Sequence, residues 1–597
     1  WNEKYAYPKL RSATASEFLD YVTKRYEDKI PAYRAAYPDW WTDGFGSAAR
    51  ETAASRKTHS DMTAVEGLLS MAVLKDKCLP QTTHQRIEHI HESLLFYDEH
   101  TFGASESVSD PLCENSQVQW GEKSAYAWEA VKRTQMLYET SVGLLQGDLR
   151  RGKNPTLTIF NTLNWKRSEM LTVYIDFEVI PRNQFFEITD FQGHSLKVQP
   201  IRYRREGCYY AIFAEDIPPM GYKTFEIVFK QPSTDTGTIT INNASIENHF
   251  YKLQLNPDKG TIQSLYDKEL NCELVDSSSP WELGAFIYEK LGNRDQLAQY
   301  RLDDYNRTGL SECRIIDSSN GPIYQRILLQ GKSPGTDEAF GVNLEIKLYH
   351  DTKRIELEYA IKRLPETDPS GIYVAFPFQL PEGKLAFDVQ GGTVISGKNQ
   401  LEGTSTDWNT VQNFVSVQNN QAQIIIGSSL IPLYQLGDIN LGKFQYQKQY
   451  ERPHVYSWVM NNYWNTNFKA SQEGEFRWSY HLTSSVDPSS NLATKFGWSS
   501  RIPLYARVMP TGTENHKPTE YSAFHFEKDN FLMTSCTPSK EEGYILLNIR
   551  EIDGKRTNLR ILNEDGQTIP FTIVNAIEEK LENETSEHIF EGYQNKF

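Results

Sequence analysis

Hydrophobic periodicity changes character once along this 597-residue chain, near residue 150, and the change divides it between two fold classes. Before that point the spacing is helical. Ile87, Ile90 and Leu94 fall on one helical face, as do Ala127, Trp128, Val131, Tyr138, Val142 and Leu145, in long segments with few glycines. About three helices are therefore expected between Ser47 and Leu149. After Pro155 the period becomes two, clearest in Val342, Leu344, Ile346, Leu348 and again in Ile355, Leu357, Tyr359, Ile361, with turn signals in "NPDKG" (256–260) and "DG" (553–554). A helical bundle followed by all-β domains makes the chain a multidomain α+β protein, and stacked sheets are the usual way to bury so many strands.

Several boundaries follow. "KQPSTDTGT" (Lys230–Thr238) reads as a linker between a small β domain, 151–232, and a larger one, 233–540, with a last β unit over 541–597. Residues 1–46 hold too little for a core of their own: "ATASEFLDYVTKRY" reads as a short amphipathic helix and "KIPAYRAAYPDWWTDGFGS" as a strand running into an aromatic loop. They resemble the end of an α/β unit. With no initiator Met and no apolar leader in "WNEKYAYPKL", either a targeting segment has been removed or the sequence begins inside a longer protein, and the second is favoured.

A net charge of −16 disfavours nucleic acid and anionic membranes, which require clustered Lys and Arg. No apolar run approaches the length of a membrane span. Six scattered cysteines show neither zinc spacing nor a disulfide framework. P-loop, GxGxxG, HExxH and GxSxG motifs are all missing. The many aromatic residues suit a large β core and also surfaces on which sugars stack.

Four stretches carry possible chemistry. In "FYDEHTFGASES" (Phe96–Ser107) a histidine flanked by carboxylates stands where a helix should stop; taken alone it reads first as a helix C-terminus and only second as a metal ligand. "HIH" (His89–His91) looks metal-like, but positions i and i+2 diverge on a helix, which makes it a packing feature. "SWVMNNYWNTNF" (Ser457–Phe468) is dense in amides and aromatics, as a carbohydrate site requires and as a buried turn also would be. "TDWNTVQNF" (Thr406–Phe414) is a weaker stretch of the same kind.

The order "DWWTDGFGSAARE", helices, "DEHTFG", long helix, then "NHFYKLQLNPDKGTIQSLYDKE" opening a β region resembles glycoside hydrolase family 38, the retaining α-mannosidases. "WWTDGFGS" (Trp40–Ser47) is similar to that family's Trp-Thr-Gly-Tyr-Phe-(Thr/Ser)-Ser segment, and "EHTFGAS" to its His-Asp-Ala-(Val/Ile)-(Thr/Ser)-Gly-Thr. The resemblance implies a remnant of an α/β barrel in 1–46, a three-helix bundle in 47–150, and a galactose mutarotase-like β-supersandwich. It also implies a single zinc ion, with His100 as one ligand, Asp98 or Glu99 as its hydrogen-bond partner, and the remaining ligands upstream of this chain.

Two departures stand out. Thr101 replaces the family's Asp after the metal histidine, so a substrate hydroxyl there would meet a hydroxyl rather than a charge. Ala35, Ala36 and Tyr37 occupy its Gly-Asp-aromatic segment, leaving Asp39 and Asp43 as the nearest carboxylates that could take the general acid's place. Trp40, Trp41, Asn461, Asn462 and Trp464 are the expected sugar contacts. The expected protein is the C-terminal part of a zinc-dependent retaining glycosidase acting on α-mannosides or related glycosides, inactive as this fragment alone. The alternative is a non-catalytic carbohydrate-binding or scaffold protein. A homo-oligomer is possible, and a periplasmic or secreted location is slightly favoured over a cytoplasmic one.

Overall fold

The computed structural model describes residues 1–231 and 244–597, so the expected linker lies outside the described residues from position 232 onward. Helices α1 (Ala15–Tyr26), α2 (Ala49–Leu74), α3 (Thr83–Asp98) and α4 (Glu114–Leu145) precede the β region. The last three form the expected bundle. Its centre is α2, most of whose residues are buried, with Met62, Val65 and Leu69 packed on Ile90 and Leu94 of α3 and on Ala130 and Leu137 of α4. The buried stripe of α4 runs through Ala127, Ala130, Thr134, Leu137, Ser141 and Leu145. Trp128, expected inward, is exposed: small residues at the contact let α2 approach closely, and the indole has no room there.

Polar contacts tie the bundle together where the sequence suggested metal chemistry. His91 Nε2 meets Glu66 Oε1 at 2.6 Å, joining α3 to α2, while His89 faces solvent. Asp98 accepts hydrogen bonds from Ser55 Oγ (2.8 Å) and pairs with His59 Nε2 (2.7 Å), so it is spent on the same helix pair.

The expected strand after α1 does not form. Residues 31–41 form no strand and make one isolated parallel bridge, Ala36 to Gln400. Two prolines and an aromatic-rich sequence leave this stretch without a sheet edge to join, and α1 has no buried residue.

The large β domain is a sandwich of a nine-stranded and a six-stranded antiparallel sheet. The period of two is realised as read: Val342, Leu344, Ile346 and Leu348 face the same interior as Ile355, Leu357, Tyr359 and Ile361. The facing sheet contributes Ile372, Val374 and Phe376, and Tyr359 Oη reaches across to donate to Gly284 O at 2.6 Å. The outer face of the six-stranded sheet carries a second apolar layer of Tyr373, Trp408, Tyr456 and Trp458.

Beyond Ser485 the chain leaves the sandwich. Strand Tyr505–Met509 pairs with Thr156–Asn161, and Glu520–Ser522 with Gly221–Lys230, so the small β domain is completed by residues from beyond 500. The boundary expected at residue 541 falls inside a hairpin, since Phe531–Pro538 pairs with Ile545–Glu551. That hairpin sits on α2 through Phe531, Met533 and Cys536 against Leu68 and Met71. Among the described residues, no helix is long and apolar enough to cross a membrane.

A 3₁₀ turn, Thr42–Ala48, leads into α2 and presses on the sandwich. A Cβ at Gly44 would lie 2.0 Å from the Phe468 ring, and one at Gly46 would lie 2.3 Å from Asn461 Nδ2. Gly44→Ala is therefore expected to cost about 1–3 kcal/mol by overpacking, read as a lowered midpoint in urea denaturation. A midpoint equal to that of the parent would show that this approach is looser than described.

Candidate functional site

The two motifs of the helical half converge with the amide-rich run of the sandwich. The α3–α4 loop lies against residues 464–468: Phe102 N donates to Asn467 O (2.9 Å), Asn467 N to Ala104 O (3.2 Å) and Ser107 Oγ to Phe468 O (2.9 Å). Phe102 fills the space between, its ring 5.2 Å from Tyr97, 5.3 Å from Phe45 and 5.6 Å from Phe468. Lys123 closes the end of α3, donating at 2.7 Å to both Phe96 O and Glu99 O, which satisfies carbonyls the ending helix leaves open.

His100 is set at this junction. Its Nδ1 pairs with Glu99 Oε1 at 2.7 Å, and its side chain is 54% exposed. Glu99 is held below the usual carboxylate range: burial pushes it up, but the Thr101 N–H and Lys123 more than offset this. Glu99 is thus the one of the two proposed partners that orients His100. Thr101 does not turn outward; its N–H (3.1 Å) and its hydroxyl (3.2 Å) both donate to Glu99.

Trp41 lies beside His100, ring centroids 5.2 Å apart, and Trp464 meets Trp41 edge-on at 6.2 Å. Trp41 is 54% exposed. Together with His100 it forms an open aromatic lip, a surface suited to the apolar face of a pyranose. Trp40 does the opposite. It is inserted among Trp408 and Phe444, both at 5.4 Å, with Nε1 donating to Gly403 O, and it anchors the segment to the sandwich.

Asp43 is buried under the lip. Burial pushes its carboxyl up to about 8; the Trp464 indole and the Gly44 N–H pull it partly back, and the charge of Asp39 adds to the rise. At neutral pH it is therefore mostly the neutral acid. Asp39 is exposed and accepts the Trp41 N–H at 3.0 Å, so it shapes the turn that presents Trp41.

Asn461 and Asn462 are not sugar contacts. Asn461 Nδ2 donates to Asp43 O (2.9 Å). Asn462 Oδ1 accepts from Ser370 N (2.6 Å), and its Nδ2 donates to Asp368 O and Ala470 O. Both are buried and bind backbone, because the strand Val455–Asn461 that carries them ends inside the domain. "TDWNTVQNF" is likewise interior: Asp407 accepts from Phe444 N (3.0 Å) and Trp408 Nε1 donates to Thr42 Oγ1 (3.2 Å).

Gln472 escaped the sequence reading. It is buried, accepts from Ala49 N (2.8 Å) and donates to Gly46 O (2.8 Å) and Asn461 O (2.9 Å), clamping the start of α2 to the sandwich. No spacing or composition marks it; only its partners do. The Trp464 indole faces the Asp43 carboxyl too loosely to close a hydrogen bond, so Asp43 Oδ1 and Trp464 Nε1, like Asn461 Oδ1, are buried without a partner.

Among the described residues no group of three or more His, Cys, Asp or Glu could hold a metal, so these residues do not make a zinc site by themselves; His100, its Nδ1 engaged by Glu99, leaves Nε2 as a single donor.

The state of Asp43 makes stability pH-dependent. Its folded pKa lies above the unfolded value of about 4, so the folded chain keeps a proton that the unfolded chain loses. The stability this group contributes is complete below about pH 4 and is lost as pH rises through about 8. Asp43→Asn mimics the neutral acid. Its thermal midpoint should match the parent's near pH 4 and exceed it increasingly toward pH 8; a constant difference across that range would mean that Asp43 is ionised in the fold.

Comparisons with known proteins bear on the family and the fold. A family model described as the α-mannosidase middle domain matches residues 39–145, and one for the glycosyl hydrolases family 38 C-terminal domain matches residues 246–444. The chain is similar in structure to an α-mannosidase from Enterococcus faecalis V583, with a TM-score of 0.73 and 13% identity over 100% of this chain and 73% of that one. It is equally similar to a protein in glycosyl hydrolase family 38 from Enterococcus faecalis, with a TM-score of 0.73 and 14% identity over 100% and 74%. No curated protein matches. At these identities the solved structures speak for the fold, and the two family models, falling on the helical bundle with its lip and on the sandwich, speak for descent: the chain belongs to glycoside hydrolase family 38, of which it carries the middle and C-terminal domains.

Proposed function

We propose that this chain is the middle and C-terminal portion of a retaining glycosidase that acts on α-mannosides or closely related glycosides, with the lip of Trp41, His100 and Trp464 contacting the sugar. The observation that carries this reading is the lip itself: an exposed tryptophan and an oriented imidazole, brought together from motifs more than fifty residues apart over a buried acid. An indole face gives a pyranose ring apolar contact, and an imidazole whose Nδ1 is engaged by Glu99 offers Nε2 to a sugar hydroxyl.

Retaining hydrolysis requires one carboxyl group to protonate the leaving oxygen and another to attack the anomeric carbon. Asp43 has the raised pKa that a proton donor needs, but its carboxyl is enclosed beneath Trp464, so on this chain it positions the lip. Asp39 is open to solvent but committed to the Trp41 turn. Zinc dependence, which the family resemblance implies, would require donors that the described residues do not gather. A second reading, a carbohydrate-binding protein without hydrolytic activity, is favoured by Ala36: it stands in the register of the family's acid, and its backbone is engaged by Asn399 and Leu401.

Hydrolysis of an aryl α-mannoside by the complete gene product separates the two. Turnover is expected, with Trp41→Ala lowering kcat/KM about tenfold through lost stacking and His100→Ala lowering it further. Saccharide binding without turnover would favour the second reading, and neither binding nor turnover would overturn both. In metal analysis the purified 597-residue chain should carry zinc well below stoichiometry; stoichiometric zinc retained after dialysis would refute the donor argument.

A further inference from the structure

A cleft of about 1040 Å³ opens where α4, the strand Arg167–Asp176, the helix Ser490–Arg501 and the large sandwich meet. It shares no residue with the Trp41–His100–Trp464 lip. Its volume is at the upper end of ligand sites, enough for several linked rings.

The walls combine rings with paired charges. Tyr138 and Tyr505 lean together at 5.0 Å, and Phe496 has the Arg354 guanidinium 5.9 Å from its ring centre. The cations that line the cleft are largely matched: Arg507 with Glu139 (3.1 Å), Lys57 with Asp61 (2.5 Å), Lys495 with Asp529 (3.6 Å) and Lys353 with Asp267 (2.8 Å). Arg354 instead donates to His481 Nδ1 at 2.8 Å, and burial followed by the Arg354 charge pushes that imidazole down to about 3, which keeps it neutral. An anionic ligand would find little uncompensated charge here. A neutral polyol would find donors and acceptors held in place by their own pairing, beside ring faces. Two buried polar atoms in the wall, Ser500 Oγ and Arg507 Nε, have no hydrogen-bond partner in the protein, and unmet buried donors call for a ligand or water.

We propose that this cleft is a second carbohydrate-binding site, taking a neutral oligosaccharide of several pyranose rings stacked on Tyr138, Tyr505 and Phe496 and hydrogen-bonded to Ser500 and the Glu139–Arg507 pair. It would hold a chain away from the lip, so that one polysaccharide could engage the protein twice. The proposal rests on the cleft's own walls and stands or falls separately from the lip.

The test uses the 597-residue chain carrying Trp41→Ala, which disables the lip so that only the cleft reports. Calorimetric titration with α-mannotetraose and, separately, maltotetraose should show binding of at least one. Adding Arg507→Ala should weaken it about tenfold, and adding Ser500→Ala a few-fold. Ser500→Ala removes a hydroxyl that has no partner, so the thermal midpoint should be unchanged or higher; it separates lost binding from lost folding should Arg507→Ala prove unstable. Binding of neither sugar, or affinities unmoved by both substitutions, would overturn the assignment.

Discussion

The seam between the 3₁₀ turn Thr42–Ala48 and the sandwich is the interaction on which the rest of the arrangement depends. Two side chains from the sandwich, Asn461 and Gln472, bind the backbone of that turn and the first residue of α2, and two glycines allow the approach. Backbone groups at the start of a helix have no partners of their own, so amides from another domain become part of the helix's cap. Bundle and sandwich are thereby registered to one another at hydrogen-bond precision. Trp41, Asp43 and the loop bearing His100 inherit their places from that registration.

Some buried charges of the sandwich are closely compensated. Glu289, wholly buried, is met by Arg307 at 2.5 Å and by the hydroxyls of Tyr463 and Tyr373. Lys347 sits among Glu345, Glu356 and Glu358, all within 3.3 Å. Other buried polar atoms have no partner, on Arg363, Asp388 and Lys448 for example, and beneath the lip such atoms fall on Asp43, Asn461 and Trp464. On its outer side the lip is half-exposed, with Trp41 and His100 in contact and His100 held by Glu99. Rigid below and open above is the arrangement expected of a surface that gains its missing partners from a ligand.

The sandwich was legible because β periodicity is imposed by burial on one face, and Val342–Leu348 and Ile355–Ile361 record it directly. Helices α2 to α4 were legible for the same reason, but the facing of α4 was read a little off. A wide apolar stripe does not say which of its edges meets the partner, and the contact was won by Ala127, Ala130 and Thr134 rather than by Trp128. The site was legible in its motifs and not in its roles. Asn461 and Asn462 carry the composition of a sugar site, yet the strand that bears them ends in the interior, where an amide's best partners are backbone groups. Asp98 and Thr101 adjoin His100 in sequence but turn elsewhere, to Ser55 and His59 in one case and to Glu99 in the other.

What the sequence by itself determined was the class of each region, the turns between strands and the two motifs that mark the family, because periodicity and local chemistry act over a few residues. The tertiary structure alone decided which residues meet. Asp43 became a neutral acid only through burial in the packed junction, against the pull of a tryptophan more than four hundred positions away, and His100 came to face Trp41 only because the 464–468 segment holds its loop. Desolvation and hydrogen bonding between distant segments depend on the packing of whole domains, and no local pattern encodes them.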